Sequence, residues 1–372
     1  MSFLYQITAQ SQAENTAPPL QFVLQPGQYY RLSWQDNQLL LQSQTVLTNL
    51  TAVQQGPELT ANQPNTKLNN TPNSSINGNN TAITLVLFGD NLSWQLLQQV
   101  LRLVAQPGQF LAMRCSQPHA DLALGLELSL SEQLANRVQQ QIAKLADLYA
   151  IERLYLPSRP SLSQPGLLVM DMDSTAIEIE CIDEIARLAG VGEQVAKVTA
   201  QAMNGELDFS QSLVARVAAL QGADNSILEQ VLVTMPIMPG LEALVRYLKQ
   251  HQWHIAIASG GFTYFTQALQ QRFGLTATFA NQLDIVNGKL TGAVLGDIVD
   301  AQAKAEVVQN LAKQYQVASE QTVAIGDGAN DIPMLNKAHY GVAFHAKAAV
   351  QAQAKYAIKQ GSLLQLLYLF SS

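Results

Sequence analysis

At 372 residues, 48% of them hydrophobic, the chain exceeds what a single core usually holds, so two or more domains are expected. Only 13% of residues are charged, against roughly 25% in an average soluble protein, and Gln, Asn, Ser and Thr take over the work of solvation. A net charge of −7 with no run of Lys and Arg leaves nothing to track a phosphate backbone, which excludes nucleic acid as an expected partner.

The first residues, MSFLYQITAQSQAENTAPPL, lack a basic segment followed by a long apolar one, and no stretch reaches the roughly 18 uninterrupted apolar residues of a membrane span. A cytoplasmic location without a membrane partner is expected, with Cys115 and Cys181 as reduced, buried thiols. Residues 20–46 hold short apolar stretches broken by Pro26-Gly27 and Asp36-Asn37, the pattern of a few strands or hairpins, so 1–56 reads as a β-rich extension of unassigned role. From Pro57 to Thr81 large apolar side chains are nearly absent, and ordering the backbone would cost entropy for little burial. Residues 57–81 are therefore expected to be a flexible, Asn-rich linker that sets 1–56 apart.

Residues 82–157 alternate compactly: strand 83–89, helix 93–106, strand 110–115, strand 122–130, helix 131–149 and strand 152–157. Leu134, Val138, Ile142 and Leu145 keep helical spacing, while Leu122, Leu124, Leu126 and Leu128 keep period two. The order βαββαβ is that of the ferredoxin-like fold. After a Pro- and Ser-rich linker at 158–166, buried apolar runs appear at 167–170, 254–258, 322–326 and 340–344, with helical patterns between them. Continuous apolar strands alternating with helices predict an α/β domain over 167–372 with a parallel sheet covered on both faces. In such sheets ligands bind beyond the carboxyl ends of the strands, where this chain places its acids and glycines. Asn287-Gly288 marks a two-residue hairpin turn. The five histidines show no metal-ligand spacing, and no zinc is expected.

Each motif alone has a plain reading. Asp171-Met172-Asp173-Ser174-Thr175 could cap a helix, Ser259-Gly260-Gly261 could be a turn, and Lys304 could be a solvated helix lysine. In order, however, DMDST, SGG, Lys304 and GDGAND (326–331) resemble the four motifs of the haloacid dehalogenase superfamily of phosphatases. The resemblance covers about 165–372 and implies a Rossmann-like sheet with an inserted helical cap, here about 178–238. The cap segment MNGELDFSQSLVARV (203–217) is similar to that of phosphoserine phosphatases, and residues 82–157 resemble ACT-type modules that sense amino acids.

The resemblance implies a set of roles. Asp171 would be the nucleophile that becomes an aspartyl phosphate, and Asp173 the general acid and base. Mg²⁺ would be held by Asp171, the backbone carbonyl of Asp173 and Asp327, with Asp331 behind them orienting Lys304 or a water. Ser259, Gly260, Lys304 and Asn330 would bind the phosphoryl group, Ser259 from a tight turn opening the next helix. Glu180 would meet the substrate's ammonium group and Arg216 its carboxylate, while Met203 and Phe209 close over it. The implied reaction is hydrolysis of O-phospho-L-serine to L-serine and phosphate, the last step of serine synthesis. Two alternatives stay open: the same chemistry on another small phosphorylated metabolite or a phosphoprotein, and an amino-acid-sensing regulator with a vestigial phosphatase core. A homodimer and an amino-acid effector at 82–157 are open partner expectations.

Overall fold

The computed structural model describes residues 4–7, 24–35, 38–44, 83–109 and 111–371. The expected linker at 57–81 and the remainder of 1–56 lie outside the described residues.

The amino-terminal part is built on strands β1 (Leu4–Ile7), β2 (Tyr29–Gln35), β3 (Gln38–Gln44) and β4 (Ile83–Phe88), helix α1 (Trp94–Val104), strands β5 (Leu111–Ser116) and β6 (Gly125–Leu130), helix α2 (Asn136–Leu148) and strand β7 (Glu152–Leu156). Its antiparallel sheet runs β1-β3-β2-β5-β6-β4-β7. The last four strands in that order form the split βαββαβ arrangement. The free edge of β5 is taken by β2, in register from Tyr29↔Arg114 to Leu32↔Leu111, so residues 29–44 extend this sheet instead of standing apart. On one face Leu85, Leu87, Leu126 and Leu128 pack with Leu97 and Leu101 of α1 and Ile142 of α2. On the other, Val86, Phe88, Leu154 and Leu156 pack against the second domain. The expected strand 122–130 starts only at Gly125, because its pairing with β4 and β5 ends there, at Phe88↔Gly125 and Ser116↔Gly125. Leu122 falls in the turn before it and joins the opposite core from Leu126.

The second domain begins with β8 (Leu167–Met170). The cap follows as α3 (Cys181–Leu188), α4 (Gly192–Met203), α5 (Phe209–Ala218) and α6 (Ser226–Thr234). The chain continues through α7 (Leu241–Gln250), β9 (His254–Phe262), α8 (Thr263–Phe273), the hairpin β10 (Ala277–Val286) and β11 (Lys289–Leu295), α9 (Ala301–Gln314), β12 (Thr322–Gly326), α10 (Ile332–Lys337), β13 (Tyr340–Phe344), α11 (Ala348–Gln351) and β14 (Tyr356–Ile358). The sheet order is β11-β10-β9-β8-β12-β13-β14. All neighbours are parallel except β10 and β11, whose turn at Asn287 (φ 52°) and Gly288 (φ 77°) has the two left-handed residues that a tight hairpin needs. Every residue of β8, β12 and β13 is buried, as a sheet covered on both faces requires. β8 lies between β9 and β12, so their three carboxyl ends open side by side. The cap enters and leaves across one short bridge, Ile177↔Ile237, beside those ends. The fold is thus an α/β domain of the expected type preceded by a ferredoxin-like sheet. Among the described residues no helix is long and apolar enough to cross a membrane.

Candidate active site

Asp171 continues β8 by one residue, donating its backbone N–H to Ile325 O at 3.0 Å. Its Oδ1 accepts from Met172 N at 2.7 Å and from Lys304 Nζ at 2.8 Å. Lys304 sits in the first turns of α9, whose amino end is capped by Asp300 Oδ1 accepting from Ala303 N at 2.9 Å. Its side chain is wholly buried, and Nζ also donates to Asp331 Oδ1 at 2.8 Å. The second oxygen of Asp331 accepts from Gly328 N at 2.9 Å. A side chain on Gly326 would put its Cβ 2.5 Å from Asp331 Cγ, so only glycine lets this loop fold back onto the lysine. Asp327 accepts from Thr175 Oγ1 at 3.3 Å, tying the loop after β12 to the loop after β8.

One carboxylate oxygen from each of Asp171, Asp327 and Asp331 falls within 4.8 Å of the other two. Three acids around one buried ammonium leave unbalanced negative charge, and all the donors are hard oxygens. That set fits a small divalent cation. Because both Asp331 oxygens are engaged by Lys304 and Gly328, Asp171 and Asp327 are the acids with oxygens to spare.

The crowding shows in the protonation energetics. Burial, and after it the charge of Asp331, hold Asp171 well above the ordinary carboxylate range against the pull of Lys304. Burial followed by the Glu180 charge pushes Asp173 up to about 7, although its Oδ1 accepts from Cys181 N at 3.0 Å. Burial and then Asp331 push Asp327 up to about 7. Burial works against the charge of Lys304, but Asp171 and Asp331 more than offset it and raise its pKa.

Ser259 corrects one expectation: β9 runs on through Ser259, Gly260 and Gly261 to Phe262, and α8 opens only at Thr263. The motif is a bulge within the strand and does not open the helix: pairing with β10 stops at Phe279↔Ala258 and resumes at Asn281↔Phe262, which leaves 259–261 unpaired between them. Ser259 is fully buried and its Oγ accepts from Gly261 N at 2.9 Å. Gly260 lies under the cap, since a Cβ there would come within 2.5 Å of Phe209 Cζ. Phe209, the first residue of α5, is placed by the capping box of Asp208 and Gln211. Asn330 folds its side chain over Gly328. Glu180 accepts from Ser174 Oγ at 2.8 Å at the head of α3. Arg216, half-buried on α5, donates from Nε to Ser212 O at 3.4 Å, and its charge acts on Glu180 and Asp183. Met203 is the residue not brought in: at the carboxyl end of α4 it is 70% exposed.

Four residues of the site escaped the sequence. Thr175 and Ser174 stand inside the first motif but looked like ordinary turn formers. A Cβ on Gly261 would lie 2.7 Å from Asp173 Oδ2, so the second glycine of SGG leaves room for that acid. Asn281 is fully buried. Its Nδ2 donates to Gly260 O at 2.8 Å and its Oδ1 accepts from Val299 N at 2.8 Å, which links β9 to the segment leading into α9. No local pattern marks such a residue, because its partners are distant in sequence.

A parallel sheet whose three adjacent strand ends carry Asp171, Ser259 and Asp327, with a helix-borne lysine buried between acids and a helical cap above, defines a class of hydrolase. Residues 166–339 match the model of the haloacid dehalogenase-like hydrolase family, and the chain belongs to that family. A phosphoserine phosphatase from Haemophilus influenzae is 56% identical over 213 residues, which make up 57% of this chain and 68% of that protein. One from Idiomarina loihiensis is 50% identical over 202 residues, 54% of this chain and 92% of the relative. Among solved structures, the unliganded probable phosphoserine phosphatase of Vibrio cholerae superposes with a TM-score of 0.64 at 41% identity, covering 77% of this chain and 85% of that one. That likeness extends past the catalytic domain into the amino-terminal part.

Proposed function

We infer that the chain is a phosphoserine phosphatase that hydrolyses O-phospho-L-serine to L-serine and inorganic phosphate. The observation that carries the reading is the buried Lys304 ammonium, 2.8 Å from both Asp171 and Asp331 at the mouth of the sheet. Phosphoryl transfer needs a fixed nucleophile beside positive charge, and this arrangement supplies both. The relatives named for phosphoserine supply the substrate class.

The two donors on Asp171 Oδ1 fix the rotation of the carboxylate that attacks phosphorus. As the bond from phosphorus to the seryl oxygen breaks, Asp173 gives its proton to that oxygen. A carboxyl group raised to about 7 is still substantially protonated at neutral pH. The aspartyl phosphate formed on Asp171 is then attacked by water, whose proton returns to Asp173, and phosphate leaves with the Asp171 carboxylate restored. Lys304, Ser259 and the backbone of Gly260 bind the phosphoryl oxygens, with Asn330 beside them. Phe209, packed on Gly260, closes the site against bulk water. Asp171, Asp327 and the backbone carbonyl of Asp173 would hold Mg²⁺, with Asp331 behind them holding Lys304. When bound, the metal supplies positive charge for the phosphoryl oxygens.

Glu180 at the head of α3 and Arg216 on α5, an anion and a cation close enough for the charge of one to act on the other, suit the ammonium and carboxylate of a zwitterion. Phosphate release from O-phosphoserine should require Mg²⁺ and disappear in Asp171→Asn. Arg216→Ala should cripple turnover of phosphoserine while sparing a phosphate ester that has no carboxylate. Equal losses on both substrates would remove phosphoserine from the reading and leave a phosphatase of different specificity.

A further inference from the structure

We propose that the carboxyl-terminal segment 359–370 is a strut that couples the amino-terminal sheet to the exit strand of the cap, so that docking of the sheet sets how freely the cap moves.

The cap is joined to the core by two connections that run antiparallel, side by side. Beyond the Ile177↔Ile237 bridge, Glu178 N donates to Pro236 O at 3.1 Å and Met238 N to Ala176 O at 3.0 Å. Phe209 is packed on Gly260, so the cap is closed over the site, and admitting substrate must rotate it about these connections. The exit connection runs straight into Pro239-Gly240, where the strut begins its contact. Leu363 N donates to Pro239 O at 2.9 Å. Gly240 has φ 85°, and a Cβ on it would lie 2.8 Å from Leu364 N. The strut therefore lies directly on the turn that ends the cap's exit.

Its other side is held by the amino-terminal sheet. Glu152 of β7 is buried, and its Oε1 accepts from Lys359 N at 3.0 Å and Gln360 N at 2.9 Å. Tyr368 stacks on Phe88 of β4 with ring centroids 4.1 Å apart and donates its hydroxyl to Ala123 O. A Cβ on Gly125 would sit 2.6 Å from the Tyr368 ring, so the approach depends on a glycine in β6. Arg159 locks the joint. Its Nη1 meets Glu127 of β6 at 2.9 Å, while Nε and Nη2 donate to the carbonyls of Leu369, Tyr368 and Phe370. Those carbonyls end a short 3-10 helix, Leu363–Leu369, and lack helical partners of their own, so the guanidinium satisfies groups that would otherwise be bare. From Glu127 to Pro239 the contacts are continuous, either buried apolar packing or hydrogen bonds.

A dock that only holds the two domains together would have no reason to reach the cap. The test compares the full chain with Arg159→Ala and with Tyr368→Phe by amide hydrogen exchange. The second variant removes one hydrogen bond and keeps the ring stack, so it folds even if the first does not. The expected result for Arg159→Ala is exchange about tenfold faster across 359–371 and, in the same protein, at the hinge amides of Glu178 and Met238, with Tyr368→Phe showing a smaller rise at both places. Faster exchange at 359–371 with wild-type rates at 176–178 and 236–240 would overturn the coupling. So would a rise shared equally by β8 and β12, which would mean general loosening. The readout does not involve substrate, so it stands or falls apart from the assignment of phosphoserine.

Discussion

Replacing Lys304 with Met, one atom shorter, keeps the unbranched stem and removes the charge, which tests chiefly the electrostatic part of the site. In the intact protein the ammonium is 2.8 Å from an oxygen of Asp171 and 2.8 Å from one of Asp331, and both carboxylates are buried. Breaking a buried ion pair by removing one partner costs about 3 to 5 kcal/mol, because the remaining charge is left without a counterion. In the variant, burial and mutual repulsion still raise Asp171, while the one neighbour that lowers it is gone. A carboxylate with a folded pKa above its unfolded value of about 3.9 favours the folded state at low pH and loses that contribution as pH rises through the folded value. The stability gap between wild type and Lys304→Met should therefore be smallest at acidic pH and widen as pH rises through the raised pKa of Asp171. Urea unfolding at several pH values, in chelator so that no divalent ion substitutes for the lysine, measures the gap. A gap below about 1 kcal/mol at pH 8, or one that does not change with pH, would refute the assignment of Lys304 as the counterion of both acids. In Mg²⁺-containing buffer, the same variant should lose at least about two orders of magnitude in kcat.

Gly261→Ala should lower kcat about tenfold or more with a melting temperature near wild type, since its Cβ would press on Asp173 Oδ2 and Met172 Cε while most of the core is untouched. Kinetics unchanged by the methyl group would show that Asp173 is not held where the reaction needs it. Ser174 has φ 56°, so Ser174→Gly should raise thermal stability by relieving the backbone, while KM for phosphoserine rises because Glu180 loses the hydroxyl that holds it. A rise in both stability and affinity would contradict that role. Glu180→Gln removes the second-largest cause of the raised Asp173 pKa, so the basic limb of the kcat profile should move to lower pH; an unmoved limb would separate Glu180 from the acid. Mg²⁺ should raise the melting temperature of the wild type but not of Asp327→Asn, a calorimetric comparison that needs no turnover.

The fold elements were legible from local periodicity, and the site from the order of four motifs that resemble a known family. Short apolar runs such as LLVM and TVAIG, alternating with helical patterns, read as strands buried on both faces, which puts the acids that follow them, Asp171 and Asp327, at strand ends. The reading failed where burial came from a partner distant in the chain. The strand expected at 122–130 was cut short because its pairing with β4 and β5 ends at Gly125, although its own alternation runs on to Leu122. SGG looked like a turn because glycines usually make turns, yet here they clear space for Phe209 above Gly260 and for Asp173 beside Gly261. Asn281 had no signature at all, since an amide bridging residues 260 and 299 has meaning only after both are folded.

The same distinction bears on the amino-terminal sheet. Its period-two face toward α1 and α2 would suffice for an independent module, but Val86, Phe88, Leu154 and Leu156 on the reverse face are also buried, and they are covered by the catalytic domain. Undocking such a sheet would expose a contiguous apolar surface to water and so cost stability. Glu152 and Glu127 are buried in that interface, where each has a specific partner: backbone N–H groups for the first and Arg159 for the second. Glu127 also has Arg114 Nη1 at 3.8 Å, but sliding would pull both acids from their closest partners, so the joint favours one docked geometry. That rigidity is what allows a contact at Pro239, far in sequence from Asp171, to bear on how the cap closes over it.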